Sequence, residues 1–460
     1  MTFGGNSNVH SRPSALPSHR CRSASSPSHR SRGTRAVLVR CRLTGGGMVG
    51  SAGAGGRRPG SDALGRAGEG RRRRHFWLLA GVLSAVLTGA NIPAPLYVIY
   101  EAQFHFKPDL TTVVFGVYAV GVLTSLLCYG RASDHLGRRS VIAAAIVLMA
   151  LSAAIFLTAQ NVLMLCLARL VSGLAIGLVA APATAGLSEL EPDGDARRAA
   201  VVATAASMIG LGLGPVLSGL LSEYAPAPTR LVYAAYLGLL TLAGLILASL
   251  PETVPLRDRR YAPRLDVGLP VGVRAEFLPA AMGVFSGFFV LGLFVGLIPS
   301  FLGNDLHWTS HALGGAVVFL LFGVAATAEL RARSSPDRRA LGVGLMALPV
   351  GLLLIVLAFA WASLPLFLVA TVLGGSAVGL VFIGGQSTVN RIAPAQRRAA
   401  VTSALFLAAY SGFSVPVVAV GVASVHLGTL RATAGATIGF AVICAVALTV
   451  LARAGRGARP

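Results

Sequence analysis

The chain has 460 residues, of which 54% are hydrophobic and 12% charged, with a mean hydropathy of +0.72. Soluble domains carry about 25% charged residues, so this composition excludes an ordinary soluble fold. The formal charge of +22 would suit a nucleic-acid binder in a soluble chain. Here the arginines gather in the N-terminal tail and in short breaks between apolar runs, so membrane topology accounts for them and no nucleic-acid partner is expected.

In chain order, residues 1–75 come first, rich in Ser, Arg, Gly and Pro, with Asp62 and Glu69 as the only acids. Such a stretch cannot bury a core and is expected to be disordered. Its Arg and Ser content superficially resembles an organellar transit peptide. The preferred alternative is translation from Met48, because Lys107 is the only lysine and that bias suggests a GC-rich bacterial genome. Cys21 and Cys41 lie in the tail, while Cys128, Cys166 and Cys444 lie in apolar runs, so the five cysteines give no disulfide pattern.

From Phe76 onward, apolar runs alternate with short polar breaks. A spanning helix needs about 20 apolar residues. Twelve runs meet that length: 76–100, 111–130, 139–159, 161–186, 199–221 and 230–250, then 278–302, 311–330, 340–361, 363–388, 399–425 and 431–452. Only helices satisfy their own backbone groups in lipid without closing into a barrel, so the expected fold is all-α and integral to the membrane. The long connection 251–277 separates a bundle at 76–250 from one at 278–452, and 453–460 is a short tail. The halves look like copies: Arg197-Arg198-Ala199-Ala200-Val201 recurs as Arg397-Arg398-Ala399-Ala400-Val401, and Ile92-Pro93 as Ile298-Pro299. Two pseudo-symmetric six-helix bundles with a site between them are a transporter plan. Arginine at 71–74, 138–139, 197–198, 257–264, 331–339, 397–398 and 453 falls on one side, against Lys107, Arg230 and Arg431 on the other. Both termini are therefore expected in the cytoplasm.

Between the second and third runs stands Gly130-Arg131-Ala132-Ser133-Asp134-His135-Leu136-Gly137-Arg138-Arg139. Charge this close to hydrocarbon is costly and usually has a task. The spacing G-x-x-x-D-x-x-G-R-R resembles the loop signature of the major facilitator superfamily, a class of secondary transporters. The resemblance covers about residues 76–452 and implies that this loop joins spans 2 and 3 on the cytoplasmic side. A carboxylate at Asp134 can meet the positive end of another helix, with span 11, which follows Arg397-Arg398, as the expected partner. Gly130, Asp134, Gly137, Arg138 and Arg139 then form a gating loop that biases alternating access. The plainer reading makes the arginines topology signals and Asp134 a solvated acid. The matching loop at 331–339 keeps an arginine pair but lacks the glycines.

Arg169 lies about 12 Å into span 4, by the rise of a helix. A buried arginine stays charged and needs a partner. Its R-x-x-x-G-x-x-x-G setting, with Gly173 and Gly177, is similar to the family's span-4 motif, which implies proton transfer or substrate binding. An alternative is structural: Arg169 satisfies span-1 carbonyls freed at Pro93 and Pro95. Span 5 carries Gly210, Gly214, Pro215 and Gly219, similar to the G-x-x-x-G-P-x-x-G-G element of drug:proton antiporters, with Ser218 in place of one glycine. This element is the main reason to expect efflux. Antiporters of that branch often carry an acid in span 1, where this chain has Asn91. Glu101 is the nearest carboxylate and the candidate for coupling.

The resemblance also implies that spans 1, 4, 7 and 10 line the cavity, with Tyr97, Tyr100, Ser286, Phe288, Gln386 and Asn390 as candidates beside Asn91 and Arg169. Few charges and several aromatics suit neutral or amphipathic compounds. The expected function is a proton-coupled exporter of small organic molecules in a bacterial inner membrane, with protons, substrate and lipid as partners. A symporter importing a sugar or organic acid is the alternative. A membrane-embedded enzyme is remote, since no D-D-x-x-D, H-E-x-x-H or Walker pattern occurs, and no cofactor or metal is expected. A sensor would want a soluble output domain, for which the sequence offers no segment.

Overall fold

The computed structural model describes residues 59–106, 108–130, 132–254, 269–297, 302, 310–394 and 397–456. The proposed start at Met48 lies outside the described residues. The first half comprises α1 (Pro59–Thr88), α2 (Pro93–Phe104), α3 (Pro108–Tyr129), α4 (Ala132–Leu136), α5 (Arg138–Leu157), α6 (Val162–Leu190), α7 (Ala196–Tyr224) and α8 (Pro228–Ser249). After a short 3-10 turn (Val271–Val273), the second half comprises α9 (Arg274–Gly296), α10 (His311–Ala332), α11 (Asp337–Ala360), α12 (Leu364–Ile392), α13 (Arg398–Leu427) and α14 (Thr429–Arg456). Eleven of these, α3 and α5 to α14, are long and apolar enough to cross a membrane.

Local chemistry sets the helix starts. Asn161 accepts from Met164 N at 3.0 Å at the start of α6, and Asp195 accepts from Arg197 N and Arg198 N at 2.8 and 3.2 Å at the start of α7. Ser310 and Ser363 do the same for α10 and α12. Each satisfies donors that the first helical turn leaves without partners.

Two expectations are corrected. The run 76–100 is not one helix but is split between the end of α1 and α2, with a turn at residues 89–92. Pro93 and Pro95 have no N–H, so the carbonyls of Gly89 and Asn91 lose their regular donors and the helix stops. Helix α1 also begins at Pro59, well inside the tail read as disordered. Proline is well placed in a first turn, and the arginines at 71–74 are good helix formers continuous with the apolar run.

The two halves pack alike. In the first, α3 and α5 pack on α6, α1 on α6, α7 and α8, and α5 on α8. In the second, α10 and α11 pack on α12, α9 on α12, α13 and α14, and α11 on α14. Each pair of the first half reappears six spans later. The contacts between halves obey the same symmetry, α7 lying on α10 and α3 on α13.

The glycine ladders repeat as well. A side chain on Gly173 or Gly177 would strike the α3 backbone near Tyr118 and Val122, and one on Gly375 or Gly379 the α10 carbonyls of Leu321 and Ala325. Small residues at four-residue spacing let helices approach closely where lipid offers no hydrophobic drive.

Candidate functional site

The break in the first span organises the site. Gly89 N and Ala90 N bond three residues back, to Val86 O and Leu87 O, at 3.3 and 3.1 Å. This frees Ala85 O, and Tyr236 of α8 donates its hydroxyl to Ala85 O and Val86 O at 3.2 and 3.0 Å. Beyond the turn, Ala94 N turns to Asn91 O at 3.1 Å, which leaves Ala90 O without its helical donor. Arg169 Nη1 takes that carbonyl at 2.7 Å. Asn91 ties the break to α7 by donating Nδ2 to Leu211 O at 3.0 Å. A helix break in lipid persists only where neighbours re-satisfy the freed groups, and α8 and α6 supply the donors here.

Arg169 is the largest fully buried side chain among the described residues, at 1% exposure. Gly173 and Gly177 stand on its own face of α6, one and two turns on, so their close approach to α3 sets the guanidinium beside Tyr118. Its central carbon lies 5.4 Å from the ring centres of both Tyr97 and Tyr118, a cation–π distance. Nε donates to Tyr97 Oη at 2.6 Å, whereas Nη2 has no partner. Arg169 forms no ion pair among the described residues. Tyr100 and Tyr233 are its electrostatic neighbours, and their buried hydroxyls interact with each other. Tyr233 is held flat against Phe156, with ring centres 4.9 Å apart. An unpartnered buried donor costs about 1–3 kcal/mol, more when charged. Arg169 thus bonds a carbonyl of the broken span, Ala90 O rather than one freed by the prolines, and this uses only part of the guanidinium. Glu101 is engaged elsewhere, its Oε1 accepting from Thr111 Oγ1 of α3 at 2.5 Å.

At the Arg-rich end, Gly130 follows α3 and Asp134 stands in α4, but the side chain of Asp134 lies outside the described residues, as does Arg131. Arg138 donates to Ser133 Oγ at 2.6 Å and pairs with Glu189 of α6 at 3.3 Å. The Glu252 carboxylate caps α5, accepting from Arg138 N at 2.8 Å and Arg139 N at 3.1 Å. Gly137 permits this twice over: its φ is +90°, and a Cβ there would lie 2.6 Å from the carboxylate. Arg72 donates to the carbonyl of Glu189 at 3.0 Å. The second half builds the same corner with charges exchanged: Arg391 of α12 pairs with Glu276 of α9 at 2.7 Å and Asp337 of α11 at 2.8 Å.

The glycines of α7 face two ways. A Cβ on Gly210 or Gly214 would strike the first span between Ser84 and Ile92, whereas one on Gly212 or Gly219 would strike α10 at Phe319 or His311. Pro215 lies against Gly315 of α10. At the Arg-rich end of this seam, Glu329 accepts from Thr204 Oγ1 at 3.2 Å, and Arg333 Nη2 donates to Thr204 Oγ1 and Ala200 O at 2.6 and 2.8 Å. At the other end, Glu223 accepts from Ser310 Oγ and Ala312 N at 2.6 and 2.9 Å.

The remaining cavity candidates divide. Tyr97 and Tyr100 join Arg169, whereas Ser286 is buried and bonds within its own helix to Met282 O at 2.9 Å. Phe288 is half-buried, with ring centres 5.9 Å from Phe382 and 5.7 Å from Tyr410. From Tyr410 the rings continue through Phe413 to Phe115 at 4.7 Å and Tyr118 at 6.0 Å, crossing between the halves. Gln386 is half-buried with Oε1 unpartnered, and Asn390 is exposed. Sequence reasoning missed Tyr118, Tyr233 and Tyr236; the only signal for them was tyrosine inside apolar runs. Glu329, near the end of α10, is buried. Among the described residues no group of His, Cys, Asp and Glu is placed to hold a metal ion.

A family model described as Major Facilitator Superfamily matches residues 77–348. The chloramphenicol resistance protein CraA of Acinetobacter baumannii is 23% identical over 61% of this chain and 68% of its own length. The uncharacterized MFS-type transporter YceJ of Bacillus subtilis is 25% identical over 54% of this chain and 63% of its own. These alignments span about two thirds of both relatives. Among solved structures, a bacterial homolog of the human lysosomal transporter Spinster, inward-facing and unoccupied, superposes with a TM-score of 0.68 at 15% identity, covering 83% of this chain and 97% of that one. The human organic anion transporter MFSD10 superposes with a TM-score of 0.60 at 17% identity, covering 83% and 99%. At these identities the superpositions bear on the fold alone.

Proposed function

The chain belongs to the major facilitator superfamily, and from that premise we propose that this multi-pass membrane transporter is a proton-coupled exporter of small organic compounds. It works by alternating access between the bundles 76–250 and 278–452, in a bacterial inner membrane with both termini in the cytoplasm. The linker 251–277 joins the two moving bodies, and the loop 130–139 biases the exchange between their arrangements.

One observation carries the export reading. The antiporter-like helix α7 packs one glycine face on the broken first span and the other on α10 of the second half. Asn91 bonds directly to that helix, and Arg169 bonds to the turn that contains Asn91. A displacement of the Arg169 contact therefore meets the seam between the halves through a single intervening helix. The chloramphenicol resistance protein among the relatives supports efflux as the direction. Coupling needs a group that takes and releases a proton; Glu101, held by Thr111 between α2 and α3, is the candidate carboxylate. The aromatic series from Phe288 to Tyr118 supports an organic substrate with planar, apolar surface.

The test is proton flux in inverted vesicles energised by respiration and followed with a ΔpH-sensitive dye. A panel of amphipathic compounds, chloramphenicol first, is added, with Arg169→Ala and Asp134→Asn as controls. Compound-dependent loss of ΔpH, absent in the Arg169→Ala vesicles, is the expected result. No response, together with ΔpH-driven uptake of a sugar or organic acid in right-side-out vesicles, overturns export in favour of symport.

A further inference from the structure

Two carboxylates are buried among the described residues, Glu191 and Glu329, at 0% and 5% exposure. Glu191 is engaged within its own half, where it accepts from Asp195 N at 2.7 Å and pairs with Arg198 at 3.4 Å. Glu329, in the last turn of α10, bonds across the seam instead, accepting from Thr204 Oγ1 of α7 at 3.2 Å. The Thr204 hydroxyl in turn accepts from Arg333 Nη2 at 2.6 Å, and the same nitrogen donates to Ala200 O at 2.8 Å. Glu329 and Arg333 stand 3.8 Å apart, so the second half grips the first turns of α7 with one charge of each sign.

Arg333 is the charged group that acts on Glu329. Helix α10 packs on α7, α12, α9 and α2, and their other ionisable groups are engaged or exposed. On α7, Arg198 is held by Glu191 and Asp193, and Arg197 is exposed. On α12 nothing ionisable stands between Gly379, which meets Ala325, and Arg391, which pairs with Glu276 of α9 and Asp337 of α11. Arg274 of α9 and Arg331 of α10 are exposed, Glu101 of α2 is held by Thr111, and His311 is at the far end of α10.

A carboxylate placed this way is tied to motion. With the seam closed it is shielded from water, and when α7 and α10 part at this end it meets water. Its affinity for a proton must then differ between the two arrangements, and by linkage a bound proton shifts the balance between them. Glu101 bonds within its own half and is no part of this seam. Glu223 closes the seam's other end but is already exposed.

We propose that Glu329 is a proton-binding site that unlatches the Arg-rich end of the seam between α7 and α10. The proton comes from water on that side and adds to the ionised carboxylate. The neutral carboxyl no longer offsets Arg333, whose side chain is only 14% exposed. An unpaired charge held there is costly, and parting of the helices relieves it by hydrating the guanidinium. Loss of the proton restores the pair and closes the end. The proposal rests on the alternating-access reading and adds a residue that senses pH on one side of the membrane.

Pulsed electron double resonance on the full chain in detergent reads the opening without any gradient. Spin labels are placed at the exposed positions Ala196→Cys on α7 and Ser335→Cys after α10, with the five native cysteines replaced by alanine. From about pH 8 to about pH 5, across the carboxylate range, the separated population should rise at least about threefold. Glu329→Gln, which copies the protonated group, should be separated at both pH values, whereas Glu101→Gln should respond as the parent does. Arg333→Gln, which removes the grip on Ala200, should also be separated at both, and decides the matter if thermal unfolding shows that Glu329→Gln does not fold. A pH response that survives in Glu329→Gln, one that is lost in Glu101→Gln, or a closed end in Arg333→Gln at the higher pH overturns the proton site. Two populations that ignore both pH and Glu329→Gln remove the site and leave alternating access intact. A single distance that neither pH nor any variant alters removes both.

Discussion

The two halves share a scaffold and differ in what they bury. In α6 the ladder reads Arg169, Gly173, Gly177; in α12 it reads Thr371, Gly375, Gly379, and both sets of glycines meet the helix two spans earlier. The first half heads its ladder with a buried cation, the second with a buried neutral hydroxyl. Repeat symmetry thus fixes the packing while the chemistry sits on one side of the molecule. A charged residue near mid-membrane costs about 3 kcal/mol or more, so one retained in only one of two matching places has a function to match.

Arg169→Ala should lower compound-driven proton flux by more than about a hundredfold, the loss of two charge-assisted hydrogen bonds and the charge itself. Thr371→Val should leave flux within about twofold; equal losses in the two variants, compared at matched expression in vesicles, would erase the asymmetry. Gly173→Val and Gly375→Val test the shared scaffold. Each should cost about 1–3 kcal/mol by overpacking, seen as similarly lowered thermal unfolding in detergent. A loss confined to one half would mean that the ladders are not equivalent. Tyr236→Phe removes the hydroxyl that serves Ala85 O and Val86 O, and should cost about 1–2 kcal/mol, read as faster amide exchange around residues 85–90. The exchanged-charge corners give the smallest effect. Arg391 is 47% exposed and should contribute about 1 kcal/mol or less, so Arg391→Gln should barely shift thermal unfolding.

Much of this was legible from the chain because it is encoded locally. Apolar run length placed the spans, four-residue glycine spacing marked the faces of α6 and α7, and the prolines at 93 and 95 pointed to trouble in the first span. The run 76–100 was nevertheless read as continuous, because proline also occurs in unbroken membrane helices when neighbours take up the carbonyls. Arg169 stood out as a lone charge in a long apolar run. Tyr233 and Tyr118 did not, because a tyrosine in such a run looks the same whether it packs or faces a guanidinium from a distant segment. The burial of Glu329 is hidden for a related reason. It stands near a helix end, and the packing of α10 on α7 covers it with Thr204 and Arg333. Pairings between remote segments, such as Arg391 with Glu276, leave no trace in spacing.

Helix α7 is clasped along its length, by the first span on one side and α10 on the other, with glycines toward both. A rod held so tightly has little room to bend side chains out of the way, so displacement of one neighbour must be passed on as tilt or slide of the whole rod. The distance from the Asn91 anchor to the facing half is then about one helix diameter, roughly 10 Å. In mechanical terms α7 is a pushrod between a seat that carries charge and a seam that can slip.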